Sequence, residues 1–275
     1  LVFENTAADL HPASHAQHSL TFLYHELRPE KSAYSYALQC EEFAEQVGLF
    51  AAIRHSGIAL RPEITFDDGH MSDYEYALPL LAARGMAAQF FITVGWTGKP
   101  GYMGWTEVRA LAEAGQRIGA HGWTHTLLTH CTPSELHREL VSAREALEDK
   151  LGSAITSMSL PGGRYNRKVL SACRAAGYTE IYTSVPRAEV PATKPTQTIA
   201  PTEAPPTRLI GRLNVRSGMS LHAIEQLLEP GSPALARIER VHHLKEAAKM
   251  LLGDSLYASL WARLNRQKAG AAAAV

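Results

Sequence analysis

Short apolar runs alternate along the chain with stretches in which apolar residues recur every three or four positions. Leu20 to Tyr24 predicts a first strand. Leu38 to His55, with Phe43, Val47, Phe50 and Ile53 at helical spacing, predicts a helix. Ile64 to Phe66 reads as a second strand, and Ser72 with Glu75 as the capping box of a helix ending near Gly85. Phe90 to Val94 and Arg117 to Ala120 read as strands, separated by a short helix over Thr106 to Gly115. Thr132-Pro133-Ser134-Glu135 is a helix start, with a cap, a proline in the first turn and a glutamate three positions on. That helix runs to Gly152 with Leu136, Leu140, Leu147 and Leu151 on one side. Ile155 to Leu160 and Glu180 to Thr183 are further strands, around a helix capped by Asn166. Repeated strand-then-helix units predict a parallel sheet, open or closed into a barrel.

The alternation then breaks. Pro186 to Pro206 is rich in Pro, Thr and Ala and reads as an extended or disordered loop. Leu209 to Val215 predicts a last strand and Ser220 to Leu228 a last core helix. Beyond Pro233 two helical segments are expected, divided near Gly253-Asp254. The second sets Leu256, Leu260, Trp261 and Leu264 against Arg263, Arg266 and Lys268. Such helices can dock on their own domain, on a second copy or on a surface. Residues 1–17 read as a flexible leader, 231–268 as a helical extension and 269–275 as a frayed tail.

Composition narrows the function classes. Lys plus Arg and Asp plus Glu are 27 each, so no global charge argues for nucleic acid or an anionic membrane. No apolar run approaches the length of a transmembrane helix, and no signal peptide is visible at the start. Cys40, Cys131 and Cys173 are few and widely spaced, which leans toward a reducing, cytoplasmic setting while leaving an exported mature form open.

The chemistry gathers at strand ends. Asp67 and Asp68, in Thr65-Phe66-Asp67-Asp68-Gly69, close the second strand. His121 and His125, in His121-Gly122-Trp123-Thr124-His125, close another. Parallel α/β folds carry their sites on that face. Two imidazoles and one carboxylate can hold a divalent cation, and a second carboxylate stays free as a base. Zinc suits those donors best, with cobalt, nickel and manganese as alternatives.

These two motifs resemble the first and second motifs of the polysaccharide deacetylases of the NodB-homology group, carbohydrate esterase family 4. Gly122 stands where Ser or Thr is usual. Ser159-Leu160-Pro161-Gly162-Gly163 is similar to the third motif. The resemblance spans about residues 18–230 and implies a distorted (β/α)7 barrel, here with extra C-terminal helices. It implies a metal triad of Asp68, His121 and His125, with Asp67 as general base. The N–H of Gly162 is implied as an oxyanion donor. His25 at the end of the first strand, Trp123 between the two histidines, Pro161 and Arg164 are read from their positions as substrate-side residues. The implied activity is removal of N-acetyl groups from a glucosamine-type oligo- or polysaccharide, and the implied partner is carbohydrate.

Departures from the family pattern leave other readings standing. Ser159 occupies the place of the arginine that orients the base, and Arg164 is a nearby substitute. The Asp–Trp pair of the fourth motif is missing around 182–190. Ser220-Leu221-His222 is the one late candidate for the catalytic-acid motif, which makes His222 the expected acid. A hydrolase of small C–N substrates and a silent carbohydrate-binding homologue are the alternatives. His11, His15 and His18 read as part of a polar leader, His70 as turn packing and Trp105 as core.

Overall fold

The structure, a computed structural model, describes residues 18–56, 60–189, 207–229 and 231–252. The leader, most of the Pro-rich loop and the last helical segment lie outside the described residues.

Eight parallel strands follow one order around the molecule. They are β1 His18–Tyr24, β2 Leu60–Phe66, β3 Gln89–Ile92, β4 Arg117–Ala120, β5 Ser157–Ser159, β6 Glu180–Tyr182, β7 Arg208–Ile210 and β8 Arg212–Asn214. Strands β1 to β6 pair in sequence, β7 pairs with β6, and β8 pairs with β1. Only Gly211 separates β7 from β8, so one interrupted stave closes the ring and the barrel has seven staves. The expected last strand is thus real, but it is split between two neighbours. Such closure leaves no free edge among the paired staves.

Helices cover the outside: α1 Cys40–His55, α2 Leu78–Ala82, α3 Trp105–Glu113, α4 Pro133–His137, α5 Ala143–Leu151, α6 Arg167–Ala175, α7 Leu221–Leu228 and α8 Pro233–Leu252. Thr132 and Asn166 cap α4 and α6 through their side chains, as the sequence predicts, and Ser220 caps α7 in the same way. Ser72 does not cap a helix. It sits in helical geometry before a π turn, Asp73–Ala77, and its hydroxyl accepts from the N–H of Leu27 at 3.0 Å. A tertiary partner outcompetes the local cap here.

The core has two layers, because alternate residues of a strand face opposite sides. Outside the barrel, Phe66 stacks on Phe90 at 5.0 Å across neighbouring strands and meets Phe43 of α1 edge-on at 5.4 Å. Inside, Phe91, Tyr182 and Ile210 form a separate cluster. Gly119 leaves room for Phe91, since a Cβ there would come within 2.6 Å of its ring. The rest of the interior is polar: Gln89 donates to Ser157 at 2.9 Å, and Arg212 is fully buried.

Three elements escaped the sequence pattern. Glu26–Arg28 and Ala37–Gln39 form a small parallel sheet beside the barrel mouth. Ala188 and Glu189, read as loop, pair antiparallel with Leu20 and Ser19. Helix α8 lays Ala234, Leu235 and Ile238 on the core, while Val241 and Leu244 stay exposed. No helix of the described residues is long and apolar enough to cross a membrane.

Candidate functional site

Two loops after β2 and β4 bring three side chains to one point. The ligating atoms of Asp68, His121 and His125 lie within 4.8 Å of one another. Asp68 Oδ1 stands 3.4 Å from Nε2 of both imidazoles. The backbone is bent to achieve this: Asp68 and His125 both take positive φ, 76° and 63°, which L-residues adopt at a cost. The Nδ1–H of His121 donates to the carbonyl of Ser159 at 2.8 Å, which turns Nε2 toward Asp68. His125 stacks on Trp96 at 5.0 Å.

The cluster fits a divalent cation. Asp68 Oδ1 is buried and has no hydrogen-bond partner. An unpaired buried carboxylate oxygen is costly unless a cation compensates it. Burial tends to raise the Asp68 carboxyl, yet the neighbouring His121 outweighs that and holds it below its ordinary value. Burial lowers His121, but Asp67 and Asp68 more than offset it and raise the imidazole. His125 is lowered, by burial first and then by the charge of His121.

Asp67 faces Arg212, and its Oδ2 also lies 3.7 Å from Nε2 of His121. Arg212 of β8 grips it with both ends of its guanidinium, Nη1 to Oδ1 at 2.8 Å and Nη2 to Oδ2 at 2.9 Å. Ser159 Oγ donates to Oδ2 at 3.0 Å and accepts from Arg212 Nη2 at 2.8 Å. The guanidinium also donates to the Thr183 carbonyl at 3.0 Å and lies over Phe91 and Tyr182. Burial would raise the Asp67 carboxyl, but Arg212 and then His121 hold it far below the usual carboxylate range.

Arg212 is the residue that sequence reasoning missed. Position 159 carries a small serine, and the guanidinium arrives from the closing strand, 145 residues beyond Asp67. One signal was visible: a lone arginine inside the apolar run Leu209 to Val215. Arg164, the expected substitute, is half-buried just after the Pro161–Gly163 turn and makes none of the Asp67 contacts.

The other expected residues divide. His25 lies at the end of β1, and its Nδ1 is buried without a partner. Burial lowers it, while the charges of Asp67, Asp68, Arg212 and His121 all act on it. Pro161 is buried and Gly162, exposed, has φ 63° in the turn that follows β5. Trp123 lies under the guanidinium of Arg138 at 5.4 Å. His222 is not brought to the cluster. Its side chain is 75% exposed on α7, facing Glu225 and Gln226 of its own helix. A residue in the first turn of an outer helix cannot take the place of one at a strand end. His70 bonds Ser72 within the turn, as expected.

The barrel thus carries an Asp–His–His cluster and an Arg-bound carboxylate at its strand ends. Residues 62–181, the segment that carries both motifs, match the family model described as polysaccharide deacetylase. YxkH of Bacillus subtilis (strain 168) is 30% identical over 125 residues, covering 46% of this chain and 45% of that protein. The chitooligosaccharide deacetylase of Bradyrhizobium sp. (strain ANU 289) is 27% identical over 146 residues, covering 51% of this chain and 65% of that protein. The chain therefore spans under two thirds of both curated relatives. Among solved structures, the Streptococcus pyogenes deacetylase PplD in complex with acetate superposes with a TM-score of 0.66 at 17% identity, covering 78% of this chain and 99% of that one. That likeness carries the fold.

Proposed function

We propose that the protein is a metal-dependent deacetylase of N-acetylated, glucosamine-type oligo- or polysaccharides. One observation carries the reading: three convergent ligating atoms stand beside a buried carboxylate that is hydrogen-bonded to Arg212 and lies 3.7 Å from Nε2 of His121. The relative that acts on chitooligosaccharides supports the substrate class.

Asp68, His121 and His125 would hold the cation, and their imidazole and carboxylate donors favour zinc. When bound, such a cation polarises a carbonyl and acidifies water. Asp67 accepts the proton of the attacking water. Arg212 and Ser159 keep it ionised and fixed in direction, which removes reorientation from the barrier. The Gly162 N–H, on the turn after β5, serves the oxyanion as it forms. His25 binds the acetamido group through its unpartnered Nδ1. With His222 outside the cluster, the proton taken up by Asp67 is the one passed to the leaving nitrogen. Acetate and a free amine leave the site.

The missing arginine at 159 and the missing Asp–Trp pair suggested a silent homologue. The guanidinium of Arg212 on Asp67 supports the active reading against the first of these. Acetate release from N- and O-acetylated glycans, assayed with added zinc or cobalt, tests the reading. Release from chitooligosaccharides supports it; a metal-loaded protein that releases no acetate from any of them overturns it.

A further inference from the structure

We infer that Glu139 is a positioning residue for the metal loop, acting through the backbone between the two histidine ligands. The inference rests on the reading of Asp68, His121 and His125 as ligands.

Glu139 lies in a π turn, Arg138–Ser142, that interrupts the helix between α4 and α5. It is only 3% exposed and shares the inward face with Leu136, Leu140 and Leu147. A carboxylate on an apolar face is costly unless its oxygens are satisfied. Here the segment between His121 and His125 satisfies them. The N–H of Trp123 donates to Oε2 at 2.7 Å. The N–H of Thr124 donates to Oε2 at 3.0 Å, and its hydroxyl to Oε1 at 2.6 Å. Three donors from two consecutive loop residues thus converge on one side chain.

Gly122 completes the arrangement. Its φ is +77°, and a Cβ there would lie 2.6 Å from Glu139 Oε2. Any larger residue at 122 would occupy the space the carboxylate needs. This accounts for glycine at a position where the family usually has Ser or Thr: the tie that fixes the loop comes from the helix behind it. The π turn itself is held open by Tyr178, whose hydroxyl donates to the Leu140 carbonyl at 2.8 Å. Such turns recur at functional sites.

A hydrogen-bonded carboxylate behind the loop fixes the bend that lets His121 and His125, four positions apart, face Asp68 together. Partners of this kind typically alter metal affinity about 10- to 100-fold.

Cobalt(II) titration followed by visible absorption tests this on the whole chain. Glu139→Ala is expected to weaken Co2+ binding by about 10- to 100-fold and to change the shape of the visible band. Leu140→Ala, in the same turn, is the control: it melts earlier but binds Co2+ within about twofold of the parent. If Glu139→Ala does not fold, Glu139→Gln gives a smaller loss in the same direction, because an amide NH2 meets N–H donors. Unchanged affinity and spectrum in the folded Glu139 variant, or an equal loss in Leu140→Ala, overturns the inference. A parent protein that takes up no Co2+ would remove the metal reading itself, which is a distinct result.

Discussion

Asp67 and Asp68 are adjacent in the chain and belong to opposite kinds of region. Asp67 lies inside the barrel, where Arg212 and Ser159 satisfy both of its oxygens. Asp68 turns outward through a positive φ, toward two imidazoles, with Oδ1 left without a hydrogen bond. The first region is electrostatically closed: its charge has its counter-charge in place. The second is open, and a cation would complete it. A single peptide step separates the two because successive side chains at a strand end diverge. On the proposed reading, that divergence keeps one carboxylate for proton transfer and one for binding.

The sharpest way to break the comparison is to neutralise one region and ask whether the other notices. Asp67→Asn should lower acetate release by about 10²- to 10⁴-fold, the range expected for losing a general base. Metal content, read by elemental analysis after dialysis, should stay at the parent value. His121→Ala should lose both turnover and bound metal. If Asp67→Asn loses its metal as well, the two carboxylates are not separate in role.

Next in size is the cation of the closed region. Arg212→Met leaves Asp67 buried without its main counter-charge, so stability should fall by about 3–5 kcal/mol in urea denaturation. Asp67→Asn strands Arg212 in the same way. The double variant removes both charges and should be more stable than the sum of the two losses predicts. Strict additivity would mean that Arg212 and Asp67 do not interact, against the bidentate geometry.

The same contrast explains what the sequence made legible. The open region is written in contiguous residues: Asp68 ends a strand, and the two histidines sit four apart after another. The seven-stave barrel was legible too, because strand and helix periods alternate clearly. The closed region is not local. Its cation comes from β8, across the seam where β7 and β8 divide one stave at Gly211. No spacing rule connects residues 67 and 212. Glu139 escaped for a related reason. Helical periodicity places it on the buried face with Leu136 and Leu140, but only the tertiary contact with residues 123 and 124 says why a carboxylate belongs there. His222 was the one late candidate, and its place at the start of an outer helix instead of a strand end keeps it from the cluster.

A third carboxylate sharpens the comparison further. Asp73, five residues beyond Asp68, is fully buried, and neither of its oxygens has a hydrogen-bond partner. It has neither the guanidinium of Asp67 nor the imidazoles of Asp68. Burial, then the charges of Asp68 and Asp67, push it well above the ordinary carboxyl value. The folded chain therefore keeps this proton at pH values where the unfolded chain, titrating near about 4, has lost it. Raising the pH through that window favours the unfolded state, because it binds fewer protons there. Asp73→Asn has no proton to lose. Relative to the parent, it should gain stability as the pH rises from about 4, and the gain should level off once the folded carboxyl has ionised. Urea denaturation of both proteins at about pH 4 and about pH 7 measures the change in the gap, which is independent of any packing cost of the amide. A gap of constant size would mean that Asp73 is ionised in the fold and compensated like its two neighbours.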